Sequence, residues 1–205
     1  MGSALPIGST AARAFTARFL LPRFFFSGLR APQEVTMDSI KFLTDELDRE
    51  TKRSRRALEE LPDDKRSWKP HNRSMAFGPL ADMVATIPTW IAMILTQNEL
   101  DIAPKDGGRP KSEPLTTSAD YIAALDAAAA TARKALDGSS EAHLQKRWKL
   151  LAGGTVVSET TRFAMLTDTI NHWVHHRGQM TVYLRLMGAK VPALYGPSAD
   201  DTTFA

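Results

Sequence analysis

The chain contains no cysteine among its 205 residues. This absence excludes disulfide bonds, zinc–thiolate sites and a cysteine nucleophile, so any soft metal ligand must be histidine or methionine. A chain without cysteine is consistent with a reducing compartment, and we expect a cytoplasmic protein.

The sequence also lacks a long apolar run. No stretch approaches the roughly 18 uncharged apolar residues that are needed to cross a bilayer, so we predict neither a transmembrane helix nor a membrane partner. Apolar residues make up 43% of the chain and charged residues 24%, which is an ordinary globular composition. The length suits one domain with its own core.

The main part of the chain has no surplus of charge of either sign. The formal net charge of +3 arises entirely in residues 1–36, which hold four arginines and one glutamate. Residues 37–205 carry 22 basic and 22 acidic side chains. Because a nucleic-acid interface needs a basic patch, we predict no nucleic-acid partner.

Residues 1–36 differ in composition from the rest of the chain. They are rich in arginine and phenylalanine and almost free of acids. They resemble a targeting segment, or the start at residue 1 is mis-assigned and the true start is Met37. We favour the second interpretation, because a balanced helical pattern begins directly at Met37. In either case we predict a disordered extension, followed by one domain over residues 37–205.

Four stretches of the domain show apolar residues at three- and four-residue steps, the spacing of amphipathic helices. They cover residues 38–60, 78–98, 117–136 and 159–187. Pro62 ends the first helix, and Pro88 should kink the second. Thr117 opens the third helix with a capping pattern, and Gly188 follows the fourth.

No segment alternates with period two for long enough to predict a sheet. The segment WKLLAGGTVVSE, residues 148–159, forms either a short hairpin or an irregular crossover, and its Gly-Gly pair favours a turn. Residues 101–117 are a loop rich in proline and glycine. We therefore predict an all-α fold, a four-helix bundle with one long connection.

The fourth helix carries three histidines within the segment NHWVHHRGQM. His172 and His176 lie one turn apart, so both imidazoles can reach a single ion. Asp168, one turn before His172, can orient that imidazole as a hydrogen-bond acceptor outside the metal shell. Gln179 lies on the same stripe and is a second candidate for this role. Two histidines do not complete a metal site, so a further ligand must come from another helix.

Two longer segments resemble a known family. NHWVHHRGQMTVYLRLMGAKVPALYGPSADD is similar to the carboxy-terminal signature of the DinB/YfiT-like proteins, and SWKPHNRSMAFGPLADMVATIPTWIAMIL is similar to their amino-terminal half. The resemblance spans residues 37–201 in order and with similar spacing. The HHRGQ block together with WKPH and YGPSADD makes the match specific.

The resemblance implies a four-helix bundle, usually dimeric, that holds a divalent metal such as zinc or nickel with three histidines. Two of them map to His172 and His176. The third usually stands in a segment like L-A-x-H-[VI]-A on the second helix, where this chain reads LADMVA and has Met83 at the ligand position. Characterised family members are thiol-dependent transferases, in which the metal is thought to bind a small thiol as thiolate.

Met83 is therefore a departure from the family pattern. A thioether is a neutral, soft ligand that binds zinc or nickel weakly, so we expect metal binding to be weak or absent. Asp82 is adjacent but points about 100° away around the helix, and it replaces the histidine only if the helix is rotated. His71 is the other weak alternative, although WKPH also occurs in relatives that keep the third histidine.

We expect a metal-dependent transferase that uses a low-molecular-weight thiol and has an altered metal site. An electrophile pocket should lie between the second and fourth helices, with Tyr183 or Arg177 as candidates for positioning the substrate. Arg177 also fits a structural role as the partner of a carboxylate. The alternative is a catalytically inactive, dimeric binding or scaffold protein. Its apolar ligand cavity would be lined by Met83 in place of the histidine.

Overall fold

The structure is a computed structural model that describes residues 37–105, 107 and 114–203. The prediction that residues 1–36 form an extension outside the domain concerns residues outside the described part, so it stays a prediction. Within the described part, the four predicted stretches correspond in order to α1, to α2 with α3, to α4 and to α6, and the short helix α5 was not predicted. The helices are α1 Ser39–Glu59, α2 Phe77–Thr86, α3 Pro88–Thr96, α4 Ser118–Asp137, α5 Glu141–Leu144 and α6 Arg162–Leu186.

The chain is mostly helical, but the all-α prediction needs correction because the described residues include a small sheet. Its strands are β1 Glu99–Asp101, β2 Arg147–Ala152 and β3 Thr155–Thr161, and their spatial order is β1-β2-β3. β1 runs parallel to β2, and β2 pairs antiparallel with β3. Period-two alternation is weak in these segments because β1 is only three residues long and most of β3 is exposed.

The β2–β3 connection confirms the hairpin alternative for residues 148–159. Gly153 and Gly154 have φ angles of 61° and 81°, the left-handed conformation that a two-residue hairpin turn requires. The carboxylate of Asp101 accepts hydrogen bonds from both glycine N–H groups, at 3.0 and 2.7 Å. This contact joins β1 to a turn 52 residues further along the chain.

The second predicted helix bends by 48° between α2 and α3. Pro88 is the first residue of α3. At this position a backbone N–H has no partner within the helix, so the proline costs no helical hydrogen bond. The predicted kink is confirmed. No single helix in the described residues is long and apolar enough to cross a membrane. By length and composition alone, the bent pair of α2 and α3 passes that test together.

The predicted start of the third helix and end of the fourth agree with the described caps, whereas the predicted start of the fourth helix at residue 159 is wrong, because residues 159–161 belong to β3. The Thr117 hydroxyl accepts a hydrogen bond from the Asp120 N–H, and the Asp120 carboxylate accepts from the Thr117 N–H in return. These hydrogen bonds lower the pKa of Asp120 to about 2. After α6, Gly188 adopts a φ of 77°, as expected for a glycine that ends a helix.

Two long-range contacts fix α6 against α2 and α3. The fully buried Trp173 donates from its indole N–H to the carbonyl of Val84 at 2.7 Å. Arg162, also buried, donates to the carbonyls of Ile94 and Gln97, where α3 ends and carbonyls have no helical partner. The positive charge of Arg162 lies at the negative end of the α3 dipole, which is a favourable arrangement. Burial lowers the pKa of Arg162.

Candidate functional site

His172 and His176 converge on one point of the α6 surface. Their Nε2 atoms lie 2.7 Å apart, and their ring centroids are separated by 4.5 Å. His176 is buried and His172 is half-buried. The structure thus brings together the two histidines that the sequence predicted as a pair.

Gln179 is the side-chain partner of His176 Nδ1. The side-chain oxygen of Gln179 lies 2.9 Å from His176 Nδ1, and in the tautomer with Nδ1 protonated this oxygen accepts the hydrogen bond and Nε2 keeps its lone pair. Burial lowers the pKa of His172, and the neighbouring His176 and His175 lower it further. His172 therefore favours the neutral imidazole, the form that binds metal.

The donor set fits a divalent metal only in part. Two imidazole nitrogens bound tetrahedrally to one ion at about 2.0–2.1 Å lie about 3.3 Å apart, so the rings need to separate by a few tenths of an ångström. The 2.7 Å contact between the two Nε2 atoms is itself a hydrogen bond, so an ion would take the place of the proton between them. Within the described residues, however, no third histidine, aspartate or glutamate joins them in a metal-binding group. The two imidazoles supply two donors, and the sequence pattern puts Met83 at the position of the third.

Neither alternative third ligand approaches the pair. Asp82 forms an ion pair with Arg66 at 3.2 Å, and burial raises the pKa of its carboxyl although Arg66 opposes this. His71 is exposed in the linker, where its Nδ1 accepts a hydrogen bond from the Arg73 N–H at 3.2 Å. Met83 itself is half-buried on α2 and packs against the hydrophobic core.

Asp168 does not take the orienting role that the sequence suggested. It is exposed, and within the described part of the chain it makes no hydrogen bond to His172. Asp168 and His172 lie one turn apart on the same face of α6. The His172 ring, however, is hydrogen-bonded to His176 and not to the Asp168 carboxylate. Gln179, by contrast, occupies the position expected of an orienting residue.

Tyr183 lies against the linker and the start of α2. Its hydroxyl donates to the Met75 carbonyl at 3.3 Å, its ring meets the edge of Trp68 at 5.5 Å, and it stacks on Phe77 at 6.5 Å. These contacts show how the WKPH segment packs on α6. They leave the role of Tyr183 toward a substrate as a prediction.

Arg177 is part of a buried network on the side of α6 that faces α1. It forms an ion pair with Glu50, and the two side chains are 1% and 3% exposed. Its guanidinium also donates to the Ser54 hydroxyl at 3.2 Å and to the Tyr195 hydroxyl at 2.6 Å. Tyr195 in turn donates to Glu50 at 3.0 Å. These contacts favour the structural interpretation of Arg177 over a substrate contact.

An apolar cavity of about 380 Å³ lies between α3, α6 and the sheet, and His172 forms part of its wall. The ring of Trp90 lies 5.5 Å from that of His172. The other lining residues are mainly apolar side chains from all three elements: Ile94, Leu100, Ile102, Trp148, Leu150, Ser158, Met165, Asp168 and Thr169.

Sequence reasoning missed Trp148 as a residue of this wall. The tryptophan was visible in the segment WKLLAGGTVVSE, but without a predicted sheet nothing placed it near the fourth helix. The alternation of Trp148 and Leu150 along β2, both in the wall, was the available signal.

The sequence matches the DinB family over residues 36–203. Similar solved structures include DinB-like proteins of Bacillus subtilis (19% identity, TM-score 0.56, covering 72% of this chain and 92% of that chain) and Bacillus cereus (22%, 0.58, 76% and 97%). A DinB-family member of Exiguobacterium sibiricum is 17% identical with a TM-score of 0.53, covering 75% of this chain and 94% of that one. At these identities the solved structures support the fold alone.

One curated relative matches over a shorter stretch. The Bacillus subtilis protein YrdA is 47% identical over 38 residues, which cover 18% of this chain and 23% of that protein. The match to the family extends over most of the chain and includes both histidines of the pair. This chain belongs to the DinB family.

Proposed function

We propose that this chain is a transferase that joins a low-molecular-weight thiol to an apolar electrophile, with a metal site weakened by Met83. The observation that carries the proposal is the convergence of the two Nε2 atoms beside an apolar cavity, with His172 belonging to both. A reactive group held by the histidines would therefore face a molecule bound in the cavity.

His172 and His176 would hold a zinc or nickel ion, which when bound lowers the pKa of a thiol so that it reacts as thiolate. Gln179 would keep the Nε2 lone pair of His176 available by accepting a hydrogen bond from the Nδ1–H of that ring. The apolar cavity wall excludes water from the electrophile and holds it close to His172. A cytoplasmic location, where small thiols are reduced, is part of the same proposal.

The second candidate is a catalytically inactive binding protein that uses the same cavity. The incomplete donor set favours it, because two imidazoles and a thioether bind borderline ions weakly. The two candidates differ in one requirement, since only the transferase needs metal for its activity.

Thiol conjugation by untagged protein tests the proposal. We expect zinc- or nickel-supplemented protein to accelerate the reaction of glutathione or cysteine with 1-chloro-2,4-dinitrobenzene, and chelation to abolish the acceleration. His176→Ala should reduce the rate on the order of tenfold or more, since it removes a metal ligand. Asn171→Ala, an exposed position on the same helix, is the control. A rate equal to the uncatalysed reaction under all conditions would favour the binding protein.

We also propose that the chain forms a homodimer through the outer face of α6. Val182 and Leu186 are 56% and 59% exposed, and with Gly178 they form a stripe at four-residue steps. Exposed apolar side chains on one helix face are typical of a protein contact.

Light scattering should give twice the 22.6 kDa mass of one chain at micromolar concentration. The double variant Val182→Glu, Leu186→Glu should be monomeric, because two buried carboxylates without partners oppose association. Lys149→Glu, on the sheet, should leave the mass unchanged. A monomeric wild type would contradict the proposal.

A further inference from the structure

A second cavity, of about 620 Å³, lies between α3, α4 and α5, and it shares no lining residue with the cavity beside His172. Trp90 and Ile94 of α3 line the cavity beside His172. Ala92 and Leu95 line the second one, which we call the α5 cavity, from nearly the opposite side of the same helix. Its volume is within the range of small-molecule sites. The α5 cavity is therefore a separate candidate site that involves neither the histidine pair nor a metal.

The short helix α5 is held on two sides, so the shape of the α5 cavity does not depend on a ligand. His143 donates from its Nε2–H to the Leu95 carbonyl at 2.9 Å, near the end of α3. The Glu141 carboxylate accepts from the N–H groups of Ser39 and Ile40 at 2.7 and 3.2 Å, at the start of α1. Both negative groups, the carbonyl and the carboxylate, thus already have donors, and Glu141 is not part of the cavity wall.

The charge of the wall is positive. Lys134, in the last turn of α4, and Lys146, just after α5, line the cavity, and no carboxylate of the described residues does. Within the same described part neither lysine forms an ion pair, whereas the adjacent arginines, Arg133 and Arg147, each pair with a carboxylate. Both lysines are exposed, so their side chains can turn toward a ligand without losing an anionic partner.

Apart from the lysines, the wall offers mainly hydrocarbon. The apolar surface comes from all three helices: Ala92, Leu95, Ala135 and Ala142. The hydroxyls of Thr96 and Thr131 donate to carbonyls of their own helices, and that of Ser140 accepts the capping hydrogen bond of α5. The Ser139 hydroxyl oxygen is buried and so is not available to a ligand. Apolar contact therefore attracts a ligand, and the two charges select the sign of its polar end.

We propose that the α5 cavity binds a small amphipathic carboxylate, with its aliphatic chain against the hydrocarbon wall and its carboxylate beside Lys134 and Lys146. The two ammonium groups gain the anionic partner that they lack, and the chain is removed from water. A neutral ligand of the same shape would gain only the second contribution. The site is separate from the proposed transferase site, so the inference does not depend on that function.

Three probes separate the contribution of the charge from that of the chain. Octanoate carries both parts, 1-octanol carries the chain without the charge, and acetate carries the charge without the chain. We expect octanoate to bind about fivefold more tightly than 1-octanol, the effect of an ion pair at the surface, and acetate to bind much more weakly than either. Amide NMR titrations measure all three affinities, and the largest shifts should be at Gly138, Ser139 and Ala142.

Variants at exposed positions test the two lysines directly. The double variant Lys134→Met, Lys146→Met should weaken octanoate binding about tenfold and change 1-octanol binding by less than about twofold. Lys134→Arg with Lys146→Arg keeps both charges and should retain octanoate binding. Lys52→Met, an exposed lysine of α1 outside the cavity wall, is the control. Ala142→Trp, which fills the cavity from an exposed position, should abolish binding of both octanoate and 1-octanol.

Equal affinities for octanoate and 1-octanol, unchanged octanoate binding in the double methionine variant, or octanoate binding that survives Ala142→Trp would each overturn the inference. Acetate binding as tight as octanoate binding would also overturn it, because the hydrocarbon wall would then contribute nothing. None of these measurements needs metal or thiol, so their outcome stands whether or not the transferase proposal holds.

Discussion

Replacing Met83 by histidine is expected to raise the affinity of the protein for zinc or nickel by about 100-fold or more. The wild type offers two imidazoles whose Nε2 atoms already converge, and a thioether adds little for a borderline ion. A third imidazole in place of the thioether would complete the three-nitrogen set that such ions prefer. The loss of a group that only orients a ligand typically changes metal affinity 10–100-fold, so a gained ligand should have at least that effect.

Titration of metal-free protein with zinc and nickel measures the effect, and thermal unfolding provides an independent readout. A metal that binds only the native state raises the unfolding temperature, so the rise should be marked in Met83→His and small in the wild type. Met83→Leu, which removes sulfur without adding a ligand, should behave like the wild type. His176→Ala in the Met83→His background should remove the gain. If the wild type already binds one zinc per chain as tightly as Met83→His, the site is complete without residue 83.

Features governed by short-range patterns were predictable from the sequence. The paired spacing of His172 and His176 placed both rings on one face of a helix, and the structure has them there. Pro88 and Gly188 marked a bend and a helix end, because their backbone preferences act locally. The position of Met83 on the second helix also followed from a local motif. Its distance from the histidines was not predictable in this way.

Features that depend on contacts between distant segments were not predictable. Asp82 was a candidate ligand by its place in the motif, but its carboxylate is paired with Arg66, 16 residues earlier. The sheet was missed because β1 is too short to show alternation and its partner β2 begins 46 residues after β1 ends. Consequently the cavity wall containing Trp148 was missed as well. In each case the decisive contact joins segments that no periodicity relates.

The second large effect is expected at the buried pair of Glu50 and Arg177. Replacing Glu50 by glutamine should lower the free energy of unfolding by about 3–5 kcal/mol, since removal of one partner leaves the other charge buried and uncompensated. Arg177 is only 1% exposed, and its remaining neighbours, Ser54 and Tyr195, are neutral. Arg53 also forms an ion pair with Glu50, so the substitution would leave a second cation without its anionic partner. Urea denaturation measures the loss.

Two comparisons distinguish buried charge from a general effect of the substitution. Glu46→Gln makes the same change on the same helix at an ion pair with Arg49 near the surface, and it should alter the unfolding midpoint little. The double variant Glu50→Gln, Arg177→Met should recover much of the stability lost in Glu50→Gln. It removes the uncompensated buried charge of Arg177 and fills the space with an apolar side chain. If Glu50→Gln and Glu46→Gln destabilise equally, the pair is not an important source of stability.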